Sequence, residues 1–240
     1  MEKAEVGLSV ELKVHSTDEI NKLFEPGEVG CVLDWVVTNP DGSIASQGIK
    51  KAESFTRQFF DLLLQKFKGL TSPGNFTPVT DITNAVRYVT NSSYMFNANA
   101  VSGTVTNGII VGLGNTAAQI TDYVMQTPCA HDSGAHGANT FQYGAVSFGA
   151  PASDLTTSQF TITRNFANAT AGTITVNEIG LYVIALFSPE TGAGALEFYS
   201  GDTVRNSVGN FMTLHDIIAG GINVLAGQTL TVNYRPQCVI

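Results

Sequence analysis

Charge is what this chain has least of. Only 13% of its 240 residues are Asp, Glu, Lys or Arg, against about 25% in an average globular domain. Dense surface ion-pair networks are therefore excluded as its means of stabilisation. Positive charge is scarcer still: all seven lysines lie at or before Lys68, and beyond it only Arg87, Arg164, Arg205 and Arg235 remain. Residues 1–68 carry eight basic against eleven acidic side chains and the remainder four against nine, so the net charge of −8 hides no basic arm. That excludes the electrostatic footprint of a nucleic-acid binder. Cys31, Cys129 and Cys238 are odd in number and far apart, which is neither a disulfide framework nor zinc spacing and fits a reducing compartment. No apolar run approaches the about 18 residues of a membrane span, and the first residues are acidic and polar, without the apolar centre of a signal peptide. The expectation is a soluble chain with no membrane or nucleic-acid partner, so the sequons at Asn75, Asn91 and Asn168 carry no weight.

Gly, Thr, Asn and Ser fill the space that charge leaves, while 43% of the residues are apolar. This length buries a real core as one large all-β domain or two small ones. Residues 1–28 read as an arm. Leu8, Val10, Leu12 and Val14 alternate with polar residues as a strand does; Ser16-Thr17-Asp18-Glu19 forms a capping box for a short helical stretch through Phe24, closed by Pro26-Gly27. The arm is either an ordinary first strand or one that adds to a neighbouring subunit's sheet.

Residues 29–240 read as a single β-rich domain with one helix. Cys31, Leu33, Trp35 and Val37 share a face and lead into a type I turn at Asn39-Pro40-Asp41-Gly42, with a return strand from Ile44 to Ile49. One amphipathic helix spans about 54–68: Ser54 caps it, Phe55, Phe59, Leu62, Leu63 and Phe67 recur at helical spacing, and Gly69 stops it. Phe60 and Leu64 widen its apolar stripe, so Phe55, Phe59, Phe60, Leu63 and Phe67 are candidates for an assembly helix. After residue 70 only strands are expected, at 85–89, 109–111, 141–148, 160–166, 173–187, 196–199, 211–214 and 230–234, and their spacing predicts an antiparallel β-sandwich of jelly-roll-like arrangement.

No constellation supports catalysis. Gly112-Leu113-Gly114-Asn115-Thr116-Ala117 fits the dinucleotide fingerprint formally, but that motif needs a following helix to hold a pyrophosphate, and none is expected here. His131, Asp132 and His136, near Cys129, bring ligand-type side chains into the stretch 127–140. It reads as an exposed loop without the rigid support a metal needs. Gly144–Gly149 misses the nucleophile elbow by one residue. Arg164 and Glu178 each interrupt an apolar row. If 167–172 simply joins their two strands, Arg164 falls opposite or diagonal to Glu178, and a structural charge pair is expected. A subunit contact is the other reading. No catalytic, cofactor or metal residue is assigned.

The order of motifs carries a resemblance. Pro40-Asp41-Gly42, Ser54-Phe55 with its helix, Ile109-Ile110-Val111-Gly112 and Thr121-Asp122-Tyr123 are followed by Val176-Asn177-Glu178-Ile179-Gly180-Leu181-Tyr182. Leu214-His215-Asp216-Ile217 and Gly227-Gln228-Thr229-Leu230-Thr231-Val232-Asn233-Tyr234 complete the set. Over about residues 30–240 it resembles a group of tailed-bacteriophage virion proteins from the tail, neck or fibre region. His215 stands where such proteins commonly carry arginine, which weakens a charge pair at that position. The resemblance implies a non-enzymatic virion component, assembled in the host cytoplasm as a symmetric oligomer with copies of itself and other virion proteins. The alternatives are a capsid decoration or fibre protein, or a receptor- or glycan-binding module using the loops near 127–140 and 188–210.

Overall fold

The computed structural model describes residues 23–25, 28–52, 55–68, 78–89, 96–188 and 207–239. The expected strand at 8–14, the capping box at 16–19, the cap Ser54 and the strand at 196–199 lie outside them. Fourteen strands and one helix follow in order: β1 (Val29–Thr38), β2 (Ile44–Lys51), α1 (Arg57–Lys68), β3 (Pro78–Thr80), β4 (Val86–Val89), β5 (Gly108–Gly112), β6 (Ala130–His131), β7 (Thr140–Tyr143), β8 (Ser147–Phe148), β9 (Ala152–Ser153), β10 (Thr157–Gln159), β11 (Ile162–Ala167), β12 (Ile174–Ser188), β13 (Ser207–Val224) and β14 (Thr229–Val239).

The strands form two sheets among the described residues. The first runs β2-β1-β14-β11-β7-β6, with β10 beside β14, β9 beside β10 and β8 beside β11; the second runs β13-β12-β4-β3, with β5 also paired to β12. All pairings are antiparallel except β6 with β7. The described residues are thus mainly β with one helix, as the alternating pattern predicts. Leu33, Val37, Phe166, Leu230, Val232 and Tyr234 from the first sheet share a buried core with Val111, Val176, Ile179, Leu214 and Ile222 from the second. Each residue set comes from one face of its strands, because side chains alternate along a strand and only one face meets the partner sheet.

Local chemistry sets the element ends. The β1–β2 hairpin closes through Asn39, whose amide and carbonyl bond Ser43 and Gly42 at 2.8 and 2.9 Å, while Gly42 takes the positive φ of 83° that the turn requires. Helix α1 starts two residues after an isolated bridge between Phe55 and Leu214, and packs on β13 and β3. The expected strand at 141–148 is two strands, parted by Gly144. That expected at 211–214 is far longer: Gly220 and Gly221, at φ 82° and 67°, do not end it but sit beside a break in pairing register with β12. Such a bulge bends a strand without terminating it.

Trp35 lies opposite Gly48 in the β1–β2 register, and a Cβ on Gly48 would stand 2.2 Å from the indole Cζ2. Gly48→Ala should therefore cost about 1–3 kcal/mol through overpacking. Urea unfolding followed by fluorescence of this single tryptophan measures it.

Candidate functional site

The Asn177–Tyr182 stretch of β12 explains itself through the irregular segment 113–127. A register shift between Val176 and Glu178 turns the glutamate inward, where it is fully buried. Its Oε1 accepts the backbone amides of Gly114 (3.0 Å) and Thr127 (2.7 Å), and its Oε2 that of Gln126 (3.1 Å). The neighbours serve the same segment. Asn177 Nδ2 donates to Leu113 O at 2.9 Å, and the amide of Met125 donates to Tyr182 Oη at 2.7 Å. Gly112 and Gly114 complete the cradle: a Cβ on either would lie 2.6 Å from Glu178 Oε1. The glycine spacing that fits a dinucleotide fingerprint thus receives the chain's own carboxylate. No helix follows it, so the pyrophosphate geometry is not built.

His215 of β13 joins Glu178 to a second acid. Its Nε2 lies 3.2 Å from Glu178 Oε2 and its Nδ1 2.8 Å from Asp122 Oδ2, with the ring itself buried. Burial pushes the Glu178 carboxyl up, but the His215 ring and three backbone amides outweigh it and hold it below its ordinary 4.5. Burial pulls the imidazole down, yet the two carboxylates outweigh this and raise it above 6.5. The two flanking carboxylates thus favour protonation of the ring. Both ring nitrogens are engaged, so the ring has neither a free lone pair nor a free proton for a substrate. The weakened charge pair expected from histidine in place of arginine is corrected: His215 makes the contact.

Arg164 does not pair with Glu178. Its strand β11 pairs with β14, β7 and β8 in one sheet, and β12 lies in the other, so the connection 168–173 crosses between sheets. The guanidinium instead donates to five carbonyl oxygens: Gly144 (2.9 Å), Asn107 (3.1 Å), Ile109 (2.9 Å), Val101 (3.4 Å) and Thr104 (2.6 Å). It also stacks 4.8 Å from the Tyr143 ring centre. Burial pulls its pKa down to about 10, so it stays charged at neutral pH. Carbonyl dipoles, not a counter-ion, stabilise it and fix the segment 101–109.

The remaining expected residues fall in two places. Asp132 is buried, not exposed: Oδ1 accepts the amides of Gly134 and His136, both at 2.9 Å, and Oδ2 meets His136 Nδ1 at 2.8 Å. Those amides and the ring hold its carboxyl below the ordinary range. His131 is half-buried and accepts the Tyr143 amide at 3.2 Å. The longest exposed run is 133–139, with Thr127, Pro128 and Ala130 also exposed, and the described residues contain no cluster of three or more metal-ligating side chains.

Just before α1, Phe55 meets Phe59 of the helix with ring centres 4.5 Å apart and tilted by 44°, and Phe59 meets Phe96 at 5.7 Å. Phe59 and Leu63 line an apolar groove of about 560 Å³ between the sheets, whereas Phe60 is 51% exposed. The helix thus splits the expected assembly face: Phe55, Phe59 and Leu63 border the groove and Phe60 faces outward. The Phe67 side chain lies outside the described residues.

Comparison of the chain with protein-family models, with curated proteins and with solved structures finds no match in any of the three. Asp122, Tyr182 and the glycine cradle escape a reading of single motifs, because they are assembled from three separate stretches of chain. The signal available was the glutamate itself: an unpaired carboxylate in an apolar strand demands donors, and a nearby Gly-x-Gly offers bare backbone amides.

Two outcomes follow. Below its ordinary 6.5, His215 contributes its full stabilisation, lost as pH rises through the raised value; Glu178 contributes above 4.5, lost as pH falls through the lowered value. Thermal melting should therefore peak between these values and decline toward alkaline pH, and His215→Gln should flatten that alkaline decline. Arg164→Met should cost about 3–5 kcal/mol, since it leaves buried carbonyls without donors. Chemical denaturation measures the loss, and amide exchange should accelerate across 101–109.

Proposed function

We propose that this chain is a non-enzymatic structural component of a phage particle: a jelly-roll-like sandwich subunit that assembles with copies of itself, as a symmetric oligomer, in the neck or tail region of the virion. Other virion proteins are its remaining partners. One observation carries the reading. The charged side chains that would suit chemistry are turned inward to hold loops, while large apolar groups are exposed. Val29 is 75% exposed, Leu155 94%, Ile120 61% and Phe60 51%. Exposed apolar groups of this size are typical of surfaces that meet protein, and a subunit that closes a ring needs complementary patches of that kind.

A glycan- or receptor-binding module draws support from the exposed loop 133–139. It is the weaker reading, because the Asp132 carboxylate and His136 ring that would recognise a sugar are already bonded to each other. A capsid decoration or fibre subunit would use the same surfaces elsewhere on the particle.

Light scattering combined with negative-stain imaging tests the proposal. The purified chain should show a mass that is a whole multiple of 25.4 kDa and closed rings or stacked layers. A monomer at every concentration, or a chain that turns over a substrate, would contradict it.

A further inference from the structure

Another pocket, of about 390 Å³, lies at the first turn of α1, within the roughly 300–1,000 Å³ of sites that hold small molecules. Three elements build it. Arg57, Gln58 and Asp61 come from the helix, where spacings of three and four residues put them on one face. Thr80 and Asn84 come from the β3–β4 hairpin, and Tyr123 from the segment 113–127. Each wall is held by its own polar contacts. The Arg57 amide donates to Ile120 O at 2.7 Å, which ties the helix start to the segment just before Tyr123. Asp81 fixes the hairpin: its Oδ1 accepts the amides of Thr83 (2.8 Å) and Ala85 (3.1 Å), and its Oδ2 accepts Arg87 Nε at 2.6 Å. Tyr123 follows Asp122, the residue bonded to His215.

Gln58 marks this pocket as a ligand site. Only 4% of the residue is exposed, and its Oε1 has no hydrogen-bond partner among the described residues. Buried polar atoms of native proteins are bonded, so an orphaned acceptor at a pocket wall marks a place where a donor arrives. The charges nearby restrict what that donor belongs to. Arg57 Nε lies 3.3 Å from Asp61 Oδ2, so the cation and the anion of the lining neutralise each other. An anionic ligand meets the Asp61 carboxylate, and a cationic one meets Arg57 and the positive end of the helix dipole. What remains is a neutral molecule that both donates and accepts. A hydroxyl does both, and the amide, carboxylate, guanidinium and hydroxyl groups on three walls match several hydroxyls carried by one ring. Tyr123 adds an amphipathic ring for the C–H face of such a molecule. We propose that this pocket binds a neutral pyranose sugar, with Gln58 Oε1 and the Asp61 carboxylate accepting from its hydroxyls and Arg57 and Asn84 donating to them. The site shares no residue with the loop 133–139, and it adds a binding role to the structural one without depending on assembly.

Ligand-observed NMR on the full-length protein tests it, with the methyl glycosides of glucose, galactose, mannose and N-acetylglucosamine as probes. At least one of them should receive saturation from the protein at millimolar concentration. Gln58→Leu removes the orphaned acceptor at nearly constant volume and Asp61→Ala removes the second acceptor. Each should weaken that probe by about tenfold or more, and Gln58→Leu should do so with no loss in melting temperature. Methyl glycosides of glucosamine and glucuronic acid, which place a cation or an anion on the same ring, should bind more weakly than the neutral probe. Equal affinity for a free hexose and its methyl glycoside would place the anomeric oxygen outside the pocket, as the end of a glycan requires; loss of binding on methylation would restrict the ligand to a free sugar. The assignment is overturned by no transfer to any of these neutral sugars, by a charged sugar that binds more tightly than they do, by binding unchanged in both variants, or by a loss of binding that accompanies lower melting in both. Light scattering reads the assembled mass separately, so failure of the sugar site and failure of the subunit role are distinguishable.

Discussion

A single buried carboxylate organises the second sheet. Glu178 holds an irregular stretch of fifteen residues, 113–127, against the strand that carries it, through three backbone amides and one imidazole. A carboxylate without partners in such a place would cost several kcal/mol. Here the cost is offset by donors that the loop could not otherwise satisfy, since amides of irregular backbone have no ladder to join. The interaction therefore solves two desolvation problems at once. It also explains the composition around it: glycines at 112 and 114 because the carboxylate occupies the space of their side chains, and a tyrosine at 182 because its hydroxyl takes the next amide.

Arg164 repeats the solution with opposite sign in the other sheet. Where Glu178 collects N–H groups, Arg164 collects carbonyl oxygens, and each fixes one irregular segment that precedes a strand of β structure. In a chain so short of charge, the few buried ions act as organisers of backbone. The two also connect to the rest of the core. Asp216, next to His215, lies 3.0 Å from the Tyr234 hydroxyl and 3.6 Å from Lys50 Nζ, so strands β2, β13 and β14 meet at one polar point between the sheets. On the outer face, Asp34 accepts Asn233 and Arg235 at 2.6 Å each.

Periodicity made the architecture legible. Alternation placed the β1–β2 hairpin, the helix and the cores of β5, β11, β12 and β14, because each buries one face and the pattern records which. Strand length was less legible: Gly220-Gly221 and Gly144 look alike in sequence, yet one bends a strand and the other separates two. The charge pair failed for a topological reason. Arg164 and Glu178 are close in sequence and both interrupt apolar rows, but the short connection 168–173 changes sheets rather than reversing within one, and no local pattern distinguishes those outcomes. The partners of Glu178 were hidden for a related reason. Most are backbone amides, which every residue owns, and the side chains that help come from positions 122 and 215, distant in the chain.

The organising role of Glu178 is tested most directly by amide hydrogen exchange at Gly114, Gln126 and Thr127. These amides lie in an irregular segment, where exchange is ordinarily fast. In the unmodified protein they should be protected like the core strands, and in Glu178→Ala they should exchange at least a hundredfold faster while β1 and β14 keep their protection. Equal exchange in both proteins would contradict the account.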